Sequence, residues 1–150
     1  MNTTKQTLFE ACEQYVQERI NRISSAMKDL ESDLENESKS SAGDKYETGR
    51  EMINIEWNKL SNQLQQFKML RETLDKAKNR KSTGRIQLGS LIMTNMASYI
   101  IAIPAGQIDI EGEKYFAIGA NSPIAQILQD KVAGEDFSFN GKANHIISVE

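Results

Sequence analysis

Residues 16–34 read VQERINRISSAMKDLESDL, in which Val16, Ile20, Ile23, Met27, Leu30 and Leu34 recur at alternating spacings of four and three, with mostly polar residues between them. That rhythm predicts an α-helix carrying one narrow apolar seam of the coiled-coil kind. Leu8 and Cys12 extend the seam upstream. A second segment repeats it with Ile53, Trp57, Leu60, Leu64 and Phe67, continuing through Leu70 and Leu74, among Glu, Gln, Asn, Lys and Arg. Between the seams lies Ser38-Lys39-Ser40-Ser41-Ala42-Gly43, a short run of residues that leave a helix easily. Residues 4–79 therefore predict an antiparallel coiled-coil hairpin with an exposed tip. Roughly 30 residues per arm at a rise of 1.5 Å make it about 45 Å long.

After Asn79 the helical period ends, and Ser82-Thr83-Gly84 supplies a break. Strands are expected at residues 86–95, 98–103 and 114–118. One short helix follows, with Ser122 as its cap, Pro123 at its first position and Ile124, Ile127 and Leu128 as its inward stripe. Gly134 releases the chain into a last hairpin, residues 136–139 and 145–149, turned by Asn140-Gly141. The class is α+β: a helical hairpin over residues 1–80, then a small antiparallel sheet with one short helix over residues 84–150.

The longest apolar stretch, near Tyr99 to Ile103, is far shorter than the roughly 20 residues of a membrane span, and the N-terminus lacks an apolar secretory core. A soluble, cytoplasmic protein is the expectation. Cys12 is the only cysteine and His145 the only histidine, so neither an intrachain disulfide nor a thiolate cage can form. Both are read as packing residues. The net charge of −3 gives no overall attraction to nucleic acid. The charges are nevertheless segregated: Asp29, Glu31, Asp33, Glu35 and Glu37 form an acidic run, and Lys76, Lys78, Arg80, Lys81 and Arg85 a basic cluster. The basic residues suit either an extruded RNA phosphate or the C-terminal end of their own helix.

No phosphate loop, dinucleotide fingerprint, zinc-protease pair or nucleophile elbow occurs, which argues against an independent enzyme with a cofactor of its own. At the hairpin tip, Asp44 and Glu47 stand three residues apart and share a helical face. Two such carboxylates can hold a hard divalent cation if another molecule completes its shell. Asp44-Lys45-Tyr46-Glu47 also has the form of a capping box, which by itself accounts for both acids. Tyr99, Tyr115, Phe116, Phe137 and Phe139 suit a core in so small a domain, or a ligand groove.

The pattern Asn121-Ser122-Pro123-Ile124-Ala125, then Ile127-Leu128, Lys131-Val132-Ala133-Gly134-Glu135-Asp136 and a strand ending Ile146-Ile147-Ser148-Val149 resembles the Gre transcript-cleavage factors. Their C-terminal domain, FKBP-like in fold, opens on a strand with a Gly-Ser step, similar to Leu88-Gly89-Ser90 here. Their N-terminal domain is a coiled-coil hairpin with an acidic tip. A self-contained hairpin predicts a monomer, and the resemblance implies that the chain docks on bacterial RNA polymerase beside its secondary channel through Asn121, Ser122 and Pro123. The hairpin would enter the channel, where tip carboxylates, Asp44 and Glu47 here, help the polymerase hold its second magnesium ion and hydrolyse backtracked nascent RNA. This chain departs from the family at the tip: alignment on Tyr46 and Arg50 places Lys39 and Ala42 where the family has its acids. A non-catalytic regulator that docks in the same way is the alternative. A third reading makes the FKBP-like domain a peptidyl-prolyl isomerase or chaperone with the coiled coil as a dimerisation arm.

Overall fold

A computed structural model of the chain describes residues 3–40 and 43–150, with side chains described outside residues 37–47. Helix α1 (Thr4–Ser40) opens on a reciprocal cap: Gln6 N donates to Thr3 Oγ1 at 3.1 Å, and Thr3 N donates to the Gln6 side-chain oxygen at 2.9 Å. Helix α2 (Gly43–Asn79) ends with Lys76 and Lys78 in its last turn, where cations complement the helix dipole. The seams sit where the spacing puts them. Leu8, Cys12, Val16, Ile20, Ile23 and Leu74 are buried, while Ile53, Trp57, Leu60, Leu64 and Phe67 are half-buried, since two helices alone cannot close over a seam. Off the seam, Met52 and Ile55 are exposed. Of the turn expected at residues 38–43, Ser38, Lys39 and Ser40 are helical and Gly43 already begins α2. None of those residue types breaks a helix outright; each costs only a fraction of a kcal/mol, about 1 for Gly. Ser41 and Ala42 lie outside the described residues.

By compactness the chain divides into Met1–Tyr15 with Leu70–Glu150, and Val16–Met69. The second unit holds the rest of the two helices, from Val16 to the end of α1 and from the start of α2 to Met69. The first holds the helix ends and a six-stranded sheet in the order β3-β4-β2-β1-β6-β5. Its strands are β1 (Leu91–Thr94), β2 (Ser98–Ala102), β3 (Gly106–Ile110), β4 (Glu113–Gly119), β5 (Asp136–Phe139) and β6 (Lys142–Val149), with helix α3 (Pro123–Leu128) between β4 and β5.

Several strand expectations need correction. The sheet is mixed, because β2 pairs parallel with β4 while every other pair is antiparallel. Strand β3 was not expected; it returns antiparallel on β4 through Glu111-Gly112, both at positive φ (50° and 84°), the tight turn that matches strand twist. The first strand begins at Leu91 rather than at residue 86. Ile86 is instead pinned to the loop after α3, donating to Lys131 O at 2.8 Å and accepting from Asp130 N at 2.9 Å. Gly89 then turns the chain: its φ is +93°, and a Cβ there would lie 2.4 Å from Ala77 O, so only glycine lets the backbone come this close to α2. The last hairpin turns at Asn140-Gly141 as expected, but β6 starts at Lys142.

Ile92, Ile101, Phe137 and Ile146 of the sheet close with Ile124, Ala125 and Leu128 of α3 into one apolar cluster. Ile127 does not join it and is 36% exposed. At 100° per residue, a face centred on Leu128 takes in Ala125 and Ile124 and leaves Ile127 at its margin. Leu91 and Ile100, cross-strand partners, point to the opposite face by strand alternation and are also buried. In the same unit, Leu8, Phe9, Cys12, Leu74 and Ala77 of the helix ends are buried as well. Among the described residues no helix is long and apolar enough to cross a membrane.

Candidate functional site

Two places were singled out by sequence, the first turn of α2 and the entry to α3. In α2 the backbone of Asp44 and Glu47 is helical, Asp44 directly after Gly43 and Glu47 three residues on, a spacing that puts the two residues on a common face. Their side chains, like that of Lys39, lie outside the described residues. Among the described residues no group of three or more His, Cys, Asp or Glu is gathered as a metal site.

The entry to α3 is held by a closed set of local bonds. Ser122 Oγ accepts from Ala125 N at 3.3 Å and donates to Gly119 O at 2.8 Å, while Ser122 N donates to the same carbonyl at 3.1 Å. Ser122 thus caps the helix in extended conformation (φ −66°, ψ 152°), and Pro123 occupies the first turn, where a missing N–H is harmless. Gln126 Nε2 donates to Asn121 O at 2.9 Å, tying the loop to the helix surface. The Asn121 amide and the Pro123 ring are left exposed on a rigid corner, with Ser122 half-buried between them. Chemically this corner can bind a surface; its one hydroxyl is occupied by capping.

The basic cluster is only partly committed. Lys78 donates a hydrogen bond to the Glu13 carboxylate, which holds its ammonium above the usual lysine range. Arg85 donates to Asp130 O at 3.1 Å. Lys76, Arg80 and Lys81 are exposed. On α1, burial draws the Lys5 ammonium down, with Glu150 opposing.

Cys12 is a packing residue: it is fully buried, and burial, reinforced by Glu13, pushes its thiol up to about 11. His145 is not. Its side chain is 52% exposed and its Nδ1 lies 2.7 Å from Asp136 Oδ1, the two residues facing each other across the β5–β6 pair on its outer side. Of the aromatic residues, Tyr115 and Phe137 are buried, and Tyr99 and Phe139 pack half-buried against the α3 cluster. Phe116 lies against Tyr99 with ring centroids 6.2 Å apart, and burial raises the Tyr99 phenol. Tyr99, Phe137 and Phe139 also wall a concavity of about 280 Å³ that reaches Asn144. Sequence reading passed over Asn144, since a polar residue near a hairpin turn carries no signal of burial.

The fold defines an α+β protein in which two long helices precede a six-stranded mixed sheet and a short helix. No known family model matches the chain, and no curated protein matches it significantly.

Proposed function

We propose that the chain is a Gre-like factor of bacterial RNA polymerase, cytoplasmic and monomeric, that acts through the polymerase secondary channel. The observation that carries this reading is the order of parts: two 37-residue helices, Thr4–Ser40 and Gly43–Asn79, followed by a sheet and a short helix whose capped start exposes Asn121 and Pro123. The corner is a docking point whose geometry is fixed before binding, so little entropy is lost there on association. The helical pair is the part that reaches into the channel. Asp44 and Glu47, one helical turn apart, would hold a magnesium ion jointly with the polymerase, and the chemistry such an ion would supply is activation of water against the phosphodiester of backtracked RNA. The protein holds no such ion alone, because two carboxylates leave most of the octahedral shell to other ligands.

A second reading, a non-catalytic occupant of the same channel, is favoured by Lys39 and Ala42 at the positions where the family carries its acids. One experiment separates the two. Backtracked elongation complexes on the cognate polymerase are assayed for binding and for RNA cleavage with the parent protein and with Asp44→Ala/Glu47→Ala. Binding with accelerated cleavage that the double variant loses is the expected result. Binding without cleavage selects the regulator, and absence of binding overturns both.

A further inference from the structure

Strand β3 (Gly106–Ile110) stands at one end of the sheet order, with β4 on one side and no described strand on the other. The turn decides which of its backbone groups lie on the open side. Glu111-Gly112, a two-residue turn with both φ positive, makes Ile110 and Glu113 a hydrogen-bonded pair. By antiparallel alternation Ile108 with Tyr115 and Gly106 with Ala117 are hydrogen-bonded pairs too. Gln107 and Asp109 fall between them, so the N–H and C=O of both residues point away from β4. Natural edges are blunted by proline, bulges or clustered charge. Strand β3 contains no proline, its register with β4 is unbroken, and its one charged residue, Asp109, accepts from Gln107 Nε2 at 2.9 Å.

This edge is complementary to itself. Set antiparallel against a second copy with Ile108 facing Ile108, Gln107 of each copy stands opposite Asp109 of the other. Each facing pair exchanges both of its backbone hydrogen bonds, and every outward group of the strand is used. The Gln107 amide has a second hydrogen besides the one given to its own Asp109, and it faces the other copy's carboxylate. The neighbouring registers are worse. Centring on Asp109 sets carboxylate against carboxylate. Centring on Gln107 brings in Ala105, whose N–H is already given to Ile103 O at 2.8 Å.

We propose that β3 is a self-association edge, through which two copies of the chain pair antiparallel about Ile108 and join their six-stranded sheets across a twofold axis. A contact between two five-residue strands is smaller than the roughly 1,200–2,000 Å² of stable interfaces, so the dimer is weak and dilution returns the monomer. The pairing stands apart from the polymerase reading, in which the monomer acts, and survives its failure.

The test is a concentration series of the ¹⁵N-labelled full chain, followed by sedimentation equilibrium and by NMR. A reversible dimer is expected, with the amides of Gln107 and Asp109 shifting most as concentration rises. Gln107→Glu sets like charges across both facing pairs and should weaken the dimer about fivefold, whereas Gln107→Lys sets opposite charges there and should strengthen it about as much. Both positions are exposed, and neither change touches the ladder to β4. Asp109→Pro deletes an outward N–H that β4 does not use, and should abolish the dimer while leaving the rest of the amide spectrum in place. A parent chain that stays monomeric throughout the series overturns the proposal. So do Gln107→Glu and Gln107→Lys moving the dissociation constant in the same direction, or concentration-dependent shifts centred on β5 or on the helices instead of β3.

Discussion

Cys12 is closed off by the seam of α1, and its thiol is held at about 11 against an ordinary value of 9.0. The folded state therefore keeps the proton that the unfolded chain gives up first. Its stabilising contribution is complete below pH 9 and disappears as pH rises through about 11, a change of about 3 kcal/mol at 1.4 kcal/mol per unit. Urea unfolding midpoints should fall across that window, and Cys12→Ala should flatten the fall while lowering stability at neutral pH by the cost of a small cavity. A fall of the same size in Cys12→Ala would place its origin elsewhere, for instance at Lys78, whose ion pair with Glu13 is also lost as its ammonium deprotonates. For the same reason Cys12 should react with thiol reagents only at the rate at which the protein opens.

Among the elements, α3 shows how much a few local atoms carry. A six-residue helix has almost no intrinsic stability, so its existence rests on the cap and on burial of Ile124, Ala125 and Leu128. Ser122→Ala removes both the cap on Ala125 N and the bond to Gly119 O. It should cost about 1–2 kcal/mol, whereas Ser122→Asp should recover part of that by restoring an acceptor at the cap. Comparing their urea midpoints checks the assignment, and a neutral Ser122→Ala would refute it. This cap was legible in the sequence because Ser-Pro at a helix start is a local rule. The seams were legible too, since a heptad rhythm needs only its own residues. Strand β3 was not: Gln107-Ile108-Asp109-Ile110 does alternate, but it is short and lies at the sheet edge, with neither isoleucine fully buried. Leu88-Gly89 read as strand because what bends it, the approach to Ala77 O, is 12 residues away in sequence. Asn144 was invisible for a similar reason, as its burial follows from pairing with Phe137. At the tip, residue type and the three-residue spacing marked Asp44 and Glu47, a pattern that capping by itself accounts for.

For the molecule as a whole, the place where the sequence changes character and the place where packing divides it are not the same. Composition changes between residues 80 and 84, yet one compact unit takes Met1–Tyr15 and Leu70–Glu150 together. The reason is the second face of the sheet. Leu91 and Ile100 are buried there, and Gly89 touches the backbone of α2 at Ala77. A fragment of residues 84–150 keeps the α3 cluster but exposes that face and loses Leu8, Phe9 and Leu74. At roughly 1.5–3 kcal/mol for each large apolar side chain, the loss is comparable with the whole stability of a small domain, about 5–15 kcal/mol. Residues 84–150 alone should therefore be unfolded or expanded, with poorly dispersed amide resonances. A chain in which residue 15 is joined to residue 70 by a short glycine-serine turn retains both helix ends and should fold cooperatively, with the Gly89 and Ile101 amides protected from hydrogen exchange. If residues 84–150 fold alone with native stability, the helix ends contribute nothing to the sheet, and the boundary lies where the composition changes.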